Sequence, residues 1–144
     1  MIGFFIACFS GLFMAVQGVF NTQVTKVAGV WVANGWAQFS ALITCILAWV
    51  ITGRESIAQL AKVEPKYALL GGVIGAGITW SVIKSIQQLG PAKATLFIIV
   101  SQILMAYLIE LFGLFGVDKQ IFEWKKMIGI GIAVIGVVIF QWER

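Results

Sequence analysis

Residues 92–116 read AKATLFIIVSQILMAYLIELFGLFG, an apolar run whose interior carries one amide, Gln102, and one acid, Glu110. At about 1.5 Å per residue such a run is long enough to cross a hydrocarbon core, which needs roughly 20 apolar residues. It predicts a membrane helix. Gln102 falls near mid-span, where an unpaired amide is expensive, and Glu110 lies about two turns further along, where a charge is expensive too. Positions 102, 105, 106, 109, 110 and 113 share one helical stripe, so Gln102 and Glu110 should face protein or a water-filled cavity beside Met105, Ala106, Ile109 and Gly113. Leu104, Leu108 and Leu111 then face lipid or packing partners.

The composition agrees with this reading. Of 144 residues, 60% are hydrophobic and 11% charged, and the mean hydropathy is +0.99; globular proteins average about 25% charged. The chain reads as an all-α integral membrane protein in contact with the lipid bilayer. A formal charge of +4 raises the question of nucleic acid, but the basic residues stand in short connections between apolar runs and form no patch, so no nucleic-acid partner is expected. There is no His, and Cys8 and Cys45 lie inside apolar runs without neighbours at metal-ligand spacing. No metal site, disulfide framework or cofactor is expected. The apolar start has neither a basic leader nor a small-residue cleavage pattern, and reads as a retained helix.

Five transmembrane helices can be drawn, at about 2–25, 30–52, 67–88, 92–115 and 126–142, forming a single five-helix repeat over residues 1–144. The odd number places the two termini on opposite sides. Residues 53–66, GRESIAQLAKVEPK, form the one long connection, with a short interfacial helix that ends before Pro65. Gly90-Pro91 stops the third helix and starts the fourth. Arg54, Lys62, Lys66, Lys119, Lys125 and Lys126 fall on the side of the N-terminus, against Lys26, Lys84, Lys93 and Arg144 on the other. The bias points to a cytoplasmic N-terminus, and it is weak enough to suit dual topology, insertion both ways round.

Polar residues recur at helical spacing on several spans. Gly3, Ala7, Ser10, Met14, Gln17 and Asn21 form a stripe on the first helix. Trp31, Asn34, Gln38, Ala41, Cys45 and Ala48 do so on the second, and Gly77, Trp80, Ser81, Lys84 and Gln88 on the third. A single such amide reads as interhelical glue worth about 0.6–2 kcal/mol. Four stripes facing one interior read as a lumen, with Gln17, Asn21, Asn34, Gln38, Trp80 and Gln102 as the substrate-binding candidates. These positions crowd toward the half of the bilayer away from the N-terminus, so one chain makes a one-sided pocket. Alternating access needs an equivalent route to the other side, which an inverted second copy would supply.

Lys84 either snorkels to the nearby interface or pairs with an acid or an anionic substrate. Glu110 is either a structural carboxylate or a titrating group used in coupling, and the two lie in opposite half-membranes. Gly129, Ala133 and Gly136 make a small-residue seam for helix or dimer packing on the last helix, and Gly71, Gly75 and Thr79 another on the third.

A first helix ending in Gln17-Gly18 and Asn21, then SIQQLGPAKATLFIIVSQ through Gln102 to IELFGLFG, then KKMIGIGIAVIGVVIF, resembles the YdcZ-like, five-helix branch of the drug/metabolite transporter superfamily. The resemblance covers nearly the whole chain. It implies a multi-pass protein of a bacterial-type inner membrane that forms half of a ten-helix inverted-repeat transporter, paired with an identical or paralogous five-helix chain. Small multidrug exporters of that superfamily carry an acid in the first helix, whereas this chain has Gln17 and Asn21 there, so a cation-for-proton exchange does not carry over. The favoured function is secondary transport of a small organic metabolite or drug-like molecule by an antiparallel dimer. A dual-topology ion channel and a subunit without transport activity are the alternatives. Without His, a paired-acid site or a phosphate loop, no enzyme is expected.

Overall fold

The computed structural model describes residues 1–142, so Arg144 of the charge count lies outside the described residues. Helix α1 spans Ile2–Ala28, α2 Val30–Thr52, α3 Gly71–Leu89, α4 Pro91–Phe112 and α5 Trp124–Gln141. All five are long and apolar enough to cross a membrane, with Lys66–Leu70 continuing the third span as a 3-10 segment. The protein is therefore all-α and multi-pass. Between 6% and 11% of each spanning window is buried within the chain, so most of the apolar surface is left for lipid or for another protein.

The boundaries differ from the sequence reading by three residues or more at three places. α1 runs on to Ala28, because only Gly29 separates it from α2. α3 proper begins at Gly71, after the 3-10 segment. α4 ends at Phe112 instead of near 115: Gly113 turns left-handed with φ 64° and Phe115 follows with φ 56°, so the FGLFG sequence is a turn. The short helix expected in the long connection is present as the 3-10 segment Ile57–Lys62, and Pro91 occupies the first turn of α4.

Gly29 and Gly90 join consecutive helices alone, and they share one conformation, φ 83°, ψ 162° and φ 78°, ψ 163°. Side chains are all but excluded from that region. Each glycine also keeps the backbone paired across the joint: Gly29 O accepts from Ala33 N at 3.0 Å and Gly90 O from Ala94 N at 3.1 Å.

The chain forms two compact units, residues 1–88 and a second that begins at Leu89. In the first, α1 and α2 pack as an antiparallel pair and α3 lies against both. Its core is small: Ala33 and Ile83 are almost wholly buried, with Ile86 and Asn34 close behind. α1 approaches α3 closely at Gly18, where an added Cβ would stand 2.8 Å from Ile86 Cδ1 and 3.2 Å from Val82 Cγ1. In the second unit, α4 and α5 run antiparallel and bury Tyr107 and Val137.

Bulk at Gly18 should therefore separate α1 from α3. Gly18→Leu is expected to lower the stability of the purified protein by about 1–3 kcal/mol through overpacking, read as a lower thermal midpoint in detergent. Gly3→Leu, at a position with nothing within 4 Å, is the control and should leave it unchanged.

Candidate functional site

The polar residues of the first unit divide into two groups by what they touch. Asn34, on the first turns of α2, is buried and donates through Nδ2 to the backbone oxygen of Ala76 in α3 at 2.9 Å. One turn on, Gln38 Nε2 donates to Thr79 Oγ1 at 3.1 Å and lies 3.5 Å from Asn34 Oδ1. Thr79 in turn donates to Gly75 O at 3.0 Å. Trp80, on α3, stacks on Trp31 of α2, with ring centroids 6.3 Å apart and planes at 24°. These residues join α2 to α3.

Gln17 and Asn21 behave differently. They line a groove of about 480 Å³ between α1 and α2, opposite Ala37, Ser40, Ala41 and Thr44. They also border a small pocket of about 40 Å³ on the α3 side, with Gly18, Thr79 and Val82. The hydroxyls across the groove are satisfied within their own helix, Ser40 by Ala37 O at 3.1 Å and Thr44 by Ser40 O at 3.0 Å. Neither side-chain amide of Gln17 or Asn21 has a hydrogen-bond partner among the described residues. Lys84 is half-buried on α3, and no carboxylate pairs with it among the described residues.

In the second unit the expected stripe of α4 splits. Ala106 and Glu110 face α5, together with Ile103 and Tyr107, across a groove of about 410 Å³ whose other wall is Lys126, Gly129, Ile130 and Ala133. Gln102, one turn before Ala106, is exposed and does not line the groove. Gly129 and Ala133 thus line this groove and Gly136, the third member of the seam, does not; an added Cβ at either glycine would meet nothing within 4 Å.

Glu110 has a counter-ion within its own chain. Lys126 Nζ lies 3.5 Å from Glu110 Oε2 and 3.4 Å from Glu123 Oε1. It also stands 5.8 Å above the Tyr107 ring, a cation–π distance. Tyr107 Oη accepts from Glu123 N at 3.1 Å, and Gln120 N donates to Glu110 O at 2.8 Å. The FGLFG turn folds residues 117–123 back over the end of α4 and so brings Lys126 to Glu110. In the sequence Lys126 reads as a loop charge and Tyr107 carries no signal, because the pairing depends on that fold-back. Ser40 and Thr44 were passed over for a simpler reason: α2 has a second polar face one step round from Asn34 and Gln38.

Spanning helices with amides set in grooves between them define the class, a multi-pass membrane protein whose polar groups are held between its helices. Over residues 2–139 the sequence matches the family described as "Putative inner membrane exporter, YdcZ". The chain belongs to that family, and on this membership it is a transport protein of the inner membrane and not an enzyme. No curated protein and no solved structure matches it significantly.

The division among the amides has a measurable consequence. Asn34→Leu removes an interhelical hydrogen bond and should cost about 0.6–2 kcal/mol, whereas Gln17→Leu removes none and should leave the thermal midpoint of the purified protein as it was. Equal losses in the two variants would contradict the assignment.

Proposed function

We propose that the protein is a secondary transporter that exports a small neutral or zwitterionic organic molecule, and that two chains of opposite orientation make the working unit. The single observation that carries this reading is the α1–α2 groove, where the amides of Gln17 and Asn21 face open space without protein partners. An unsatisfied amide within a span costs free energy, and a substrate with hydrogen-bond donors and acceptors offsets that cost when it binds. The groove's lining carries no charge, which favours a substrate without net charge. Asn34, Gln38 and Trp80 then hold the wall of the site instead of the substrate itself, since their contacts tie α2 to α3.

Gln102 supports the pairing. It sits in mid-span, exposed, with no hydrogen-bond partner among the described residues, so a second copy is the natural cover for it. In this reading each chain is one five-helix repeat, half of a ten-helix inverted assembly, and alternating access arises as one half rocks against the other. Glu110 belongs to the α4–α5 pairing and takes no part in the substrate groove.

The orientation can be tested by disulfide trapping. Cys8 and Cys45 are free and exposed, and are first replaced with Ser. Gln59→Cys, in the long connection, and Trp142→Cys, beyond α5, are then co-expressed on differently tagged chains. Cross-links between the two positions are the expected result; exclusive Gln59-to-Gln59 cross-links would mean a parallel pair.

Function is tested in liposomes. A panel of neutral and zwitterionic metabolites is screened by thermal shift, and each hit is followed by radiolabelled counterflow. Saturable counterflow is expected, and Gln17→Leu should reduce it about tenfold or more, the loss of one or two hydrogen bonds at 1.4 kcal/mol per decade. Conductive flux without exchange would indicate a channel, and wild-type counterflow in Gln17→Leu would remove that residue from the site.

A further inference from the structure

We propose that the α4–α5 groove is a lipid site, which holds one acyl chain of a phospholipid whose headgroup carries both a phosphate and a primary ammonium. The groove runs from Ile103 to Glu110 on α4 and from Lys126 to Ala133 on α5, about 10 Å along the helix axes. Beyond its charged end its walls are apolar, and the small residues Gly129 and Ala133 widen it on the α5 side. Such a shape fits an extended hydrocarbon chain.

All of its polar groups lie at one end. Glu110 is next to the last turn's end on α4, and Lys126 is in the first turn of α5, so this end lies at the depth of lipid headgroups. The exposed Trp124 and the aromatic pair Phe122–Trp124, 5.2 Å apart, mark the same level. The ion-pair side chains are reachable, with exposures of 38% for Lys126, 46% for Glu110 and 52% for Glu123.

The charges match one headgroup chemistry. Two carboxylates share one ammonium in this network, so the cluster has an acid in excess. A primary ammonium of the lipid donates to Glu110 and Glu123, while Lys126 takes the lipid phosphate. The buried Tyr107 hydroxyl accepts from Glu123 N and so holds that carboxylate's backbone at the charged end. A quaternary ammonium has no N–H to give, and an anionic headgroup without an ammonium leaves the surplus carboxylate unanswered. The α4–α5 groove shares no lining residue with the α1–α2 groove, and a failure to find a transported substrate leaves the lipid site untouched.

The test uses the purified full-length chain in nanodiscs of equal parts phosphatidylethanolamine, phosphatidylcholine and phosphatidylglycerol, with retained lipid identified by native mass spectrometry. Phosphatidylethanolamine should be retained about tenfold or more over the other two, the worth of one charge-assisted hydrogen bond. Glu110→Gln should abolish that preference. Ala133→Phe, which fills the chain end of the groove far from the charges, should lower retention of every lipid, whereas Ile132→Phe, on the exposed face of α5, should not. Equal retention of phosphatidylethanolamine and phosphatidylcholine would overturn the proposal. So would a preference for phosphatidylglycerol, or equal behaviour of Ala133→Phe and Ile132→Phe. If Glu110→Gln does not fold, the pair of groove variants decides the matter.

Discussion

Hydrocarbon offers no hydrogen bonds, so every backbone N–H and C=O inside the membrane must find a partner within the protein. That constraint shapes this chain at every level. It makes the spans helical, and it makes the connections between them either short or rich in local bonds. The joints at Gly29 and Gly90 are the extreme case, in which one residue turns the chain while its own carbonyl starts the next helix. A residue with a side chain would resist the backbone angles needed, and a longer loop would bring more polar groups to be satisfied. The same logic explains the turn after α4, where Gly113 N caps Ile109 O and Gln120 N reaches back to Glu110 O.

The constraint also sorts side chains into those that hold the fold and those left for something else. Asn34, Gln38 and Thr79 form a continuous set of bonds between α2 and α3, ending on two backbone carbonyls of α3, Ala76 O and Gly75 O. Gln17 and Asn21 sit on the same kind of stripe in α1 and make no such bond. Residue type and spacing are alike in the two cases. What separates them is the neighbour, and that is a property of the packed helices.

This is why some of the protein was legible in the sequence and some was not. Apolar run length depends on a solvent property, the thickness of the hydrocarbon core, so five spans and the Gly90-Pro91 break could be read from residues alone. The end of α4 could not be placed as well, because hydropathy continues through Leu114 and Phe115 while the backbone has already turned at Gly113. Glu110 could be marked as an anomaly in a span, but its counter-ion, Lys126, comes from across a loop, and only the fold-back of that loop brings them to 3.5 Å. For the stripes, helical periodicity identified the polar faces, yet it could not tell Asn34, which is spent on Ala76 O, from Gln17, which is not.

The distribution of these bonds divides the helices of the first unit. Among the described residues, the side-chain hydrogen bonds that cross between its helices join α2 to α3, and none joins α1 to either. In lipid, apolar side chains gain little by meeting each other instead of acyl chains, so contacts such as Gly18 against Ile86 hold α1 by close packing alone. A polar bond between helices is lost outright when they separate, whereas a packing contact can be exchanged for another or for lipid at smaller cost. α1 is thus the helix held without a side-chain hydrogen bond to its neighbours, and it is also the helix that carries Gln17 and Asn21.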